Sequence, residues 1–306
     1  MSEHVAKHPH DAAGADTPAC WIGAIAALTS LGHRDLQHHI ERHSTLFEDR
    51  PFDPALLSAI SLCNAISTQG FPGRTREVAN RTTLWAFGLD LAIDRAATTA
   101  QEVEEIVRQC RGVASGSPAA SGNHLVAFLT EIQNEVAAAE DLMPSWRNEL
   151  DRMLSAQLRE WHWNTARKSG NRSRQPSFDE YLDNADSLML TFIALTTWMA
   201  DPDLQTHQHL DGLISASRSV QRVVRLLNDL ATYERELEWG DLNALMLGPT
   251  RTDIENRIIT LTEEARSRLR PLIQSQLLPA VYLNRLMEFN IGYYRTTDYW
   301  GDWSGP

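Results

Sequence analysis

From Trp21 onward, apolar residues recur at three- and four-residue intervals, and no stretch alternates strictly between apolar and polar. That period belongs to helices, so the chain is predicted to be all-α, a helical bundle. Helices are expected over 20–31, 33–47, 53–67, 74–97, 100–112, 120–138, 144–168, 177–200, 206–238, 251–276 and 279–300. Breakers separate them: Pro51 and Pro54, the segment from Gly70 to Gly73, the Gly/Ser-rich stretch 112–122, the polar run 169–176, Pro202, and Gly248 with Pro249. Ser177 and Glu180 make a capping box at the head of one helix. Residues 1–17 are polar, lack an apolar period and are expected to form a disordered tail. With no fixed repeat and no clear linker, residues 18–306 are expected to form one domain. A chain of 306 residues with 42% hydrophobic content has ample material for its core.

Charge narrows the partners. The formal net charge is −12, and a nucleic-acid binder would carry a basic face, so DNA and RNA are not expected. An anionic small molecule remains compatible if metal ions stand between it and the protein. Cys20, Cys63 and Cys110 are too few and too widely spaced for a disulfide framework or a zinc cluster. The first residues carry no signal-peptide pattern and no apolar run is long enough for a membrane span, so a cytoplasmic location is expected.

Two helices carry oxygen ligands at suggestive spacing. In TTLWAFGLDLAIDRAA, Asp90 and Asp94 are four apart and share a helix face one turn apart. Carboxylates ending an apolar helix suit Mg²⁺, which takes oxygen ligands and shares its shell with substrate phosphate. Alone, the pair also fits an ordinary solvated face. In RLLNDLATYERELEWGDLNAL, Asn228, Thr232 and Glu236 stand at i, i+4 and i+8, on one face that could chelate a second hard cation. Arg225 and Arg235 lie on the same helix, where a diphosphate would need cations. The plainer alternative is a charged amphipathic helix.

NDLATYERE resembles the second metal motif of class I terpene synthases, (N/D)Dxx(S/T)xxxE, at every constrained position. The first helix resembles their aspartate-rich DDxxD box in degraded form, with Leu91 where a second Asp is usual. RLLND, the Arg-Glu pair and GDLNAL are similar to segments of kaurene-synthase-like enzymes, and EYLDNADS to bacterial enzymes acting on copalyl diphosphate. The resemblance implies a class I terpenoid synthase bundle around a central cavity and three Mg²⁺. Asp90 would bind two of these ions, with Asp94 assisting directly or through water, and Asn228, Thr232 and Glu236 the third. It also implies Arg225, Arg235, Arg295 and Tyr299 as diphosphate contacts. The expected cavity wall is Trp85, Phe87, Ser187, Thr191, Phe192 and Trp300, each equally compatible with a core role. An arginine diphosphate sensor common in bacterial relatives is replaced by Asn184 or Ala185.

The implied reaction ionises copalyl diphosphate to a labdane-related diterpene, a biformene-type triene being favoured. A class II copalyl diphosphate synthase would act upstream, and a homodimer stays open. The alternatives are a synthase of linear geranylgeranyl or farnesyl diphosphate, a chain-elongating prenyltransferase, and a non-catalytic isoprenoid-binding protein. The absence of a second DDxxD motif counts against elongation, and the absence of DxDD against class II cyclisation. In HHIERH, His39 and His43 at i, i+4 offer two imidazoles to zinc, but no third ligand stands near them in sequence.

Overall fold

A computed structural model describes residues 18–47, 52–116, 122–201 and 205–301. The polar segment 1–17 lies outside these residues. Among the described residues there is no strand, so the all-α expectation holds. No helix among them is long and apolar enough to cross a membrane. The helices are α1 (Pro18–Arg42), α2 (Pro54–Ser67), α3 (Gly73–Leu91), α4 (Ala100–Ala114), α5 (His124–Val136) and α6 (Met143–Lys168). They continue with α7 (Phe178–Asp183), α8 (Leu190–Met199), α9 (Leu210–Trp239), α10 (Arg251–Gln274) and α11 (Leu278–Tyr293).

Local chemistry sets many of the starts. Asp53 accepts from the N–H groups of Ala55 and Leu56, with Pro54 just inside α2. Thr99 with Glu102, Ser177 with Glu180 and Thr250 with Asp253 form reciprocal capping boxes. Helices α2, α3, α8, α9 and α11 then touch in a closed ring, each against the next. Outside that ring α1 packs on α2 and α3, α5 on α3, and α10 on α9 and α11, while α6 packs against α8 and α4. The buried apolar side chains form a contiguous cluster running through all of these layers.

Departures from the expected elements follow from packing. The break expected near residue 32 is absent, and α1 runs straight through Gly32. A Cβ there would stand 2.5 Å from Asn80 Nδ2 and 3.2 Å from Ser61, so the glycine serves close helix approach rather than a turn. The single helix expected over 177–200 is broken between Asp183 and Leu190 by a 3₁₀ turn and by Met189 in the left-handed region, φ 63°. Tertiary hydrogen bonds hold that break. Asn184 Nδ2 donates to the Ala156 carbonyl at 3.0 Å, and Gln157 to the Ser187 carbonyl at 2.8 Å. The last helix ends at Tyr293, and residues 294–301 fold back as a strap instead of continuing it.

Candidate active site

A cavity of about 160 Å³ lies between α3, α6, α8 and α9, bordered by residues of the strap. Its first wall comes from α3. Leu84, Trp85, Leu89 and Ile93 are buried in the core. The opposite stripe of Thr83, Phe87, Asp90 and Asp94 lines the cavity. Asp94 stands in a π-helical turn, Ala92–Ala96, that follows α3 directly. Such turns often mark functional sites because they re-aim side chains locally.

The second wall is α9, whose Asn228, Thr232 and Glu236 face the same cavity. The Thr232 hydroxyl lies 2.8 Å from Glu236 Oε1. Asn243, just after α9, donates to Glu236 Oε2 at 2.8 Å and to the Asp229 carbonyl at 2.7 Å. It thereby fixes the Glu236 rotamer from behind. Asp229 points away from the cavity, accepting from the Tyr181 hydroxyl at 2.9 Å.

The groups around Arg225 and Arg235, and what these two arginines bind, are visible only in the folded chain. Glu160 of α6 enters the cavity and takes two hydrogen bonds from Arg225, at 3.1 and 2.5 Å. Arg225 further donates to the Tyr181 hydroxyl and, at 3.0 Å, to Ser187 Oγ. All its N–H directions are directed at protein acceptors, so here it positions Glu160 and Tyr181 instead of waiting for a phosphate. Arg95 stacks 3.8 Å from the centre of the Trp239 ring and reaches Asp241 at 2.5 Å. Lys168 meets the same carboxylate at 2.9 Å. Arg235 is held bidentate by Asp298 of the strap, both bonds 2.9 Å.

Burial and like charge push the cavity carboxylates up. The Asp90 carboxyl is raised to about 6 by burial and then by Glu160. Asp94 is raised well above the usual range by burial and then by Asp90. Glu236 is pushed up to about 8 by burial and then by Asp229. Acidic groups so close in a low-dielectric cleft need cations to stay ionised. The donors are carboxylate, amide and hydroxyl oxygens, which suit a hard divalent ion.

Other expected site residues fall into two groups. Phe87, Ser187, Tyr299 and Trp300 line the cavity, with the Trp300 ring edge-on to Phe87 at 4.9 Å. Trp85, Thr191 and Phe192 do not, which corrects the expected wall. Trp85 sits two positions from Phe87, about 200° around the helix, and donates into the core, to the Leu125 carbonyl at 3.0 Å. Phe192 packs between Trp85 and Trp146, at 5.9 and 5.3 Å. The Thr191 amide donates to Gln221 at 2.9 Å. The turn at Met189 rotates α8 so that Ile193 faces the cavity in their place. Arg295 is exposed on the strap and off the cavity wall. Glu160, Asp241 and Tyr294 line the cavity without any sequence spacing that marks them. Asn243 lay within the GDLNAL segment but carried no visible role there.

This arrangement of two oxygen-bearing helices across a bundle cavity is that of a metal-dependent isoprenoid lyase. Residues 81–248, more than half of the chain, match the family described as "Terpene synthase family 2, C-terminal metal binding". The chain belongs to that terpene synthase family and is a lyase acting on isoprenyl diphosphates. It is 27% identical over 227 residues to an ent-pimara-9(11),15-diene synthase of Streptomyces sp. (strain KO-3988), covering 71% of this chain and 76% of that one. A shorter match, 33% over 106 residues, is to the chloroplastic bifunctional levopimaradiene synthase of Picea abies; it spans 33% of this chain and 12% of that protein. Among solved structures, 2-methylisoborneol synthase from Streptomyces coelicolor A3(2), in complex with Mg²⁺ and geranyl-S-thiolodiphosphate, shares the fold. The TM-score is 0.67 at 12% identity, over 87% of this chain and 91% of that one. Linalool/nerolidol synthase from Streptomyces clavuligerus superposes with TM-score 0.62 at 15% identity, over 86% and 92%.

Proposed function

We propose that the protein is a Mg²⁺-dependent class I diterpene synthase whose substrate is copalyl diphosphate. The observation that carries this reading is the meeting of the Asp90/Asp94 and Asn228/Thr232/Glu236 faces across one cavity that aromatic groups also line. Those five side chains are proposed to hold three Mg²⁺. When bound, the ions supply electrostatic and Lewis-acid stabilisation of the departing diphosphate. The chain's own groups orient and enclose the substrate. Asn243 and Thr232 hold Glu236, Arg225 holds Glu160, and Arg235 is the guanidinium that meets the diphosphate once Asp298 releases it. Tyr299 and Trp300 cover the cleft and exclude water from the allylic cation. The Phe87 and Trp300 faces offer cation–π stabilisation, worth ~2 kcal/mol when desolvated. The diphosphate accepts the final proton.

Two features support a preformed bicycle as substrate. Arginine is replaced by Asn184 or Ala185 at the sensor position, and Asn184 is committed to the backbone of α6. The cavity, at about 160 Å³, is below the ~300 Å³ at which ligand pockets begin. A C20 substrate therefore has to widen the cavity beneath the strap, and a rigid decalin needs less ordering there than a linear chain. Direct deprotonation to a biformene-type labdatriene is the short exit. Ring closure to a pimaradiene is the second reading, favoured by the name of the Streptomyces relative. A class II cyclase would supply the substrate. The test is incubation with copalyl diphosphate stereoisomers and with geranylgeranyl and farnesyl diphosphates, read by gas chromatography with mass detection. Conversion of a copalyl stereoisomer is expected. Efficient use of a linear diphosphate, with every copalyl isomer untouched, overturns the proposal.

A further inference from the structure

A second group of metal-ligand side chains lies apart from the cavity, and none of its members lines it. His39 and His43 stand one turn apart at the C-terminal end of α1, and Glu131 reaches them from α5. One ligand atom from each lies within 4.8 Å of the other two. His43 Nε2 is 3.3 Å from Glu131 Oε2. Around a tetrahedral zinc ion with bonds of ~2.0–2.2 Å, neighbouring ligand atoms stand roughly 3.3–3.5 Å apart. The His43–Glu131 pair already has that separation, and His39 needs an adjustment of at most about 1.5 Å.

The rings are held for this geometry. Both imidazoles stack on Phe128, at 5.1 Å for His39 and 4.6 Å for His43, and Phe128 is fully buried. The two imidazole planes are 13° apart. His39 is the informative member. Its Nδ1 is buried with no hydrogen-bond partner, and its Nε2 comes no nearer than 4.0 Å to Asp35. A histidine kept only for packing would be expected to satisfy a buried ring nitrogen. Asp35 is instead taken by Arg81 through two hydrogen bonds, at 3.1 and 2.8 Å. Glu131 is steadied by Arg42 through its other oxygen, at 2.9 Å. Burial, aided by Arg81, lowers His39 to about 4, and burial lowers His43 as well. Both rings are therefore neutral near pH 7, the form whose lone pair binds metal. The carbonyl end of α1 adds a favourable field for a cation.

We infer that His39, His43 and Glu131 form a site for a zinc-class transition-metal ion, with water as fourth ligand, tying the end of α1 to α5. Two imidazoles and a carboxylate select such an ion over Mg²⁺, which the all-oxygen cavity suits. Binding is measured by calorimetry and thermal melting with ZnCl₂ on chelator-stripped protein carrying Asp90→Asn and Glu236→Gln, so that each metal-facing stripe of the cavity loses a carboxylate. One equivalent bound, with a raised melting temperature, is expected. His39→Gln and Glu131→Gln in the same background should each weaken binding by more than the ~10–100-fold that losing an outer-shell partner costs. Their metal-free melting temperatures report whether folding is intact. In the otherwise unsubstituted chain, Co²⁺ should give the visible bands of four-coordination, and His39→Gln should abolish them. Absence of zinc binding in the cavity-disabled chain, or equal affinity after His39→Gln, overturns the inference. Neither result bears on the diterpene synthase reading.

Discussion

Asn243→Ala tests whether the Glu236 rotamer is set from outside the metal-facing helix. Asn243 is wholly buried. Its amide donates to Glu236 Oε2 at 2.8 Å and to the Asp229 carbonyl at 2.7 Å, and its oxygen accepts from the Leu245 N–H at 3.0 Å. Alanine leaves these groups without that partner. Each orphaned buried group costs about 1–3 kcal/mol, less where water from the cavity can enter. Glu236 faces the cavity and can rehydrate. The Asp229 carbonyl and the Leu245 amide are less able to, which gives a loss of about 2–4 kcal/mol. At ~2–4 °C per kcal/mol in chains of somewhat smaller size, the melting temperature falls by roughly 4–16 °C. Removing the partner that orients a metal ligand also lowers metal affinity or turnover by ~10–100-fold. Asn243→Asp separates the two effects: it keeps the acceptor for Leu245 but turns a donor to Glu236 into a like charge. Diphosphate release is to be followed across a Mg²⁺ titration in both variants. An unchanged half-saturating Mg²⁺ concentration in the folded variants refutes the positioning argument.

Asp90→Asn and Asn228→Ala should each remove most turnover while leaving the far-ultraviolet circular dichroism intact; near-full activity in either sinks its assignment as a ligand. In chelator, stability should fall as pH rises. Asp90, Asp229 and Glu236 have folded values raised to about 6, 6 and 8 against 3.8, 3.8 and 4.5 unfolded, so the folded state binds more protons across that window. Melting temperature measured from pH 4 to 8.5 should decline through that range, and saturating Mg²⁺ should flatten the decline; a flat metal-free profile contradicts the cavity electrostatics. Gly32→Ala should destabilise by ~1–3 kcal/mol in denaturant unfolding, because its Cβ meets Asn80 at 2.5 Å; a neutral or stabilising result would show that α1 and α3 can separate freely.

The helical class, most helix starts and the two ligand-bearing faces were legible in the sequence, because each depends on residues within about four positions of one another. Asp90 with Asp94, and Asn228 with Thr232 and Glu236, share their faces by helical geometry alone, and the folded chain brings the two faces to one cavity. Ser177 and Glu180 close their capping box within one turn. The expected wall placed both Trp85 and Phe87 on the cavity, although two positions apart they point to opposite sides of the helix, and which of them turns inward is decided by the packing of α3 against α5. The break at Met189 has no glycine or proline to announce it, since donors on α6 and α9 hold that turn. Glu160, Asp241, Asn243 and the Asp298 latch on Arg235 likewise depend on pairs distant in the chain. Glu131 follows the same rule, lying 88 positions from His43 in sequence. Spacing fixes a side chain's direction around its own helix axis, whereas the partner it meets is set by how the helices cross, and only the tertiary structure decided that.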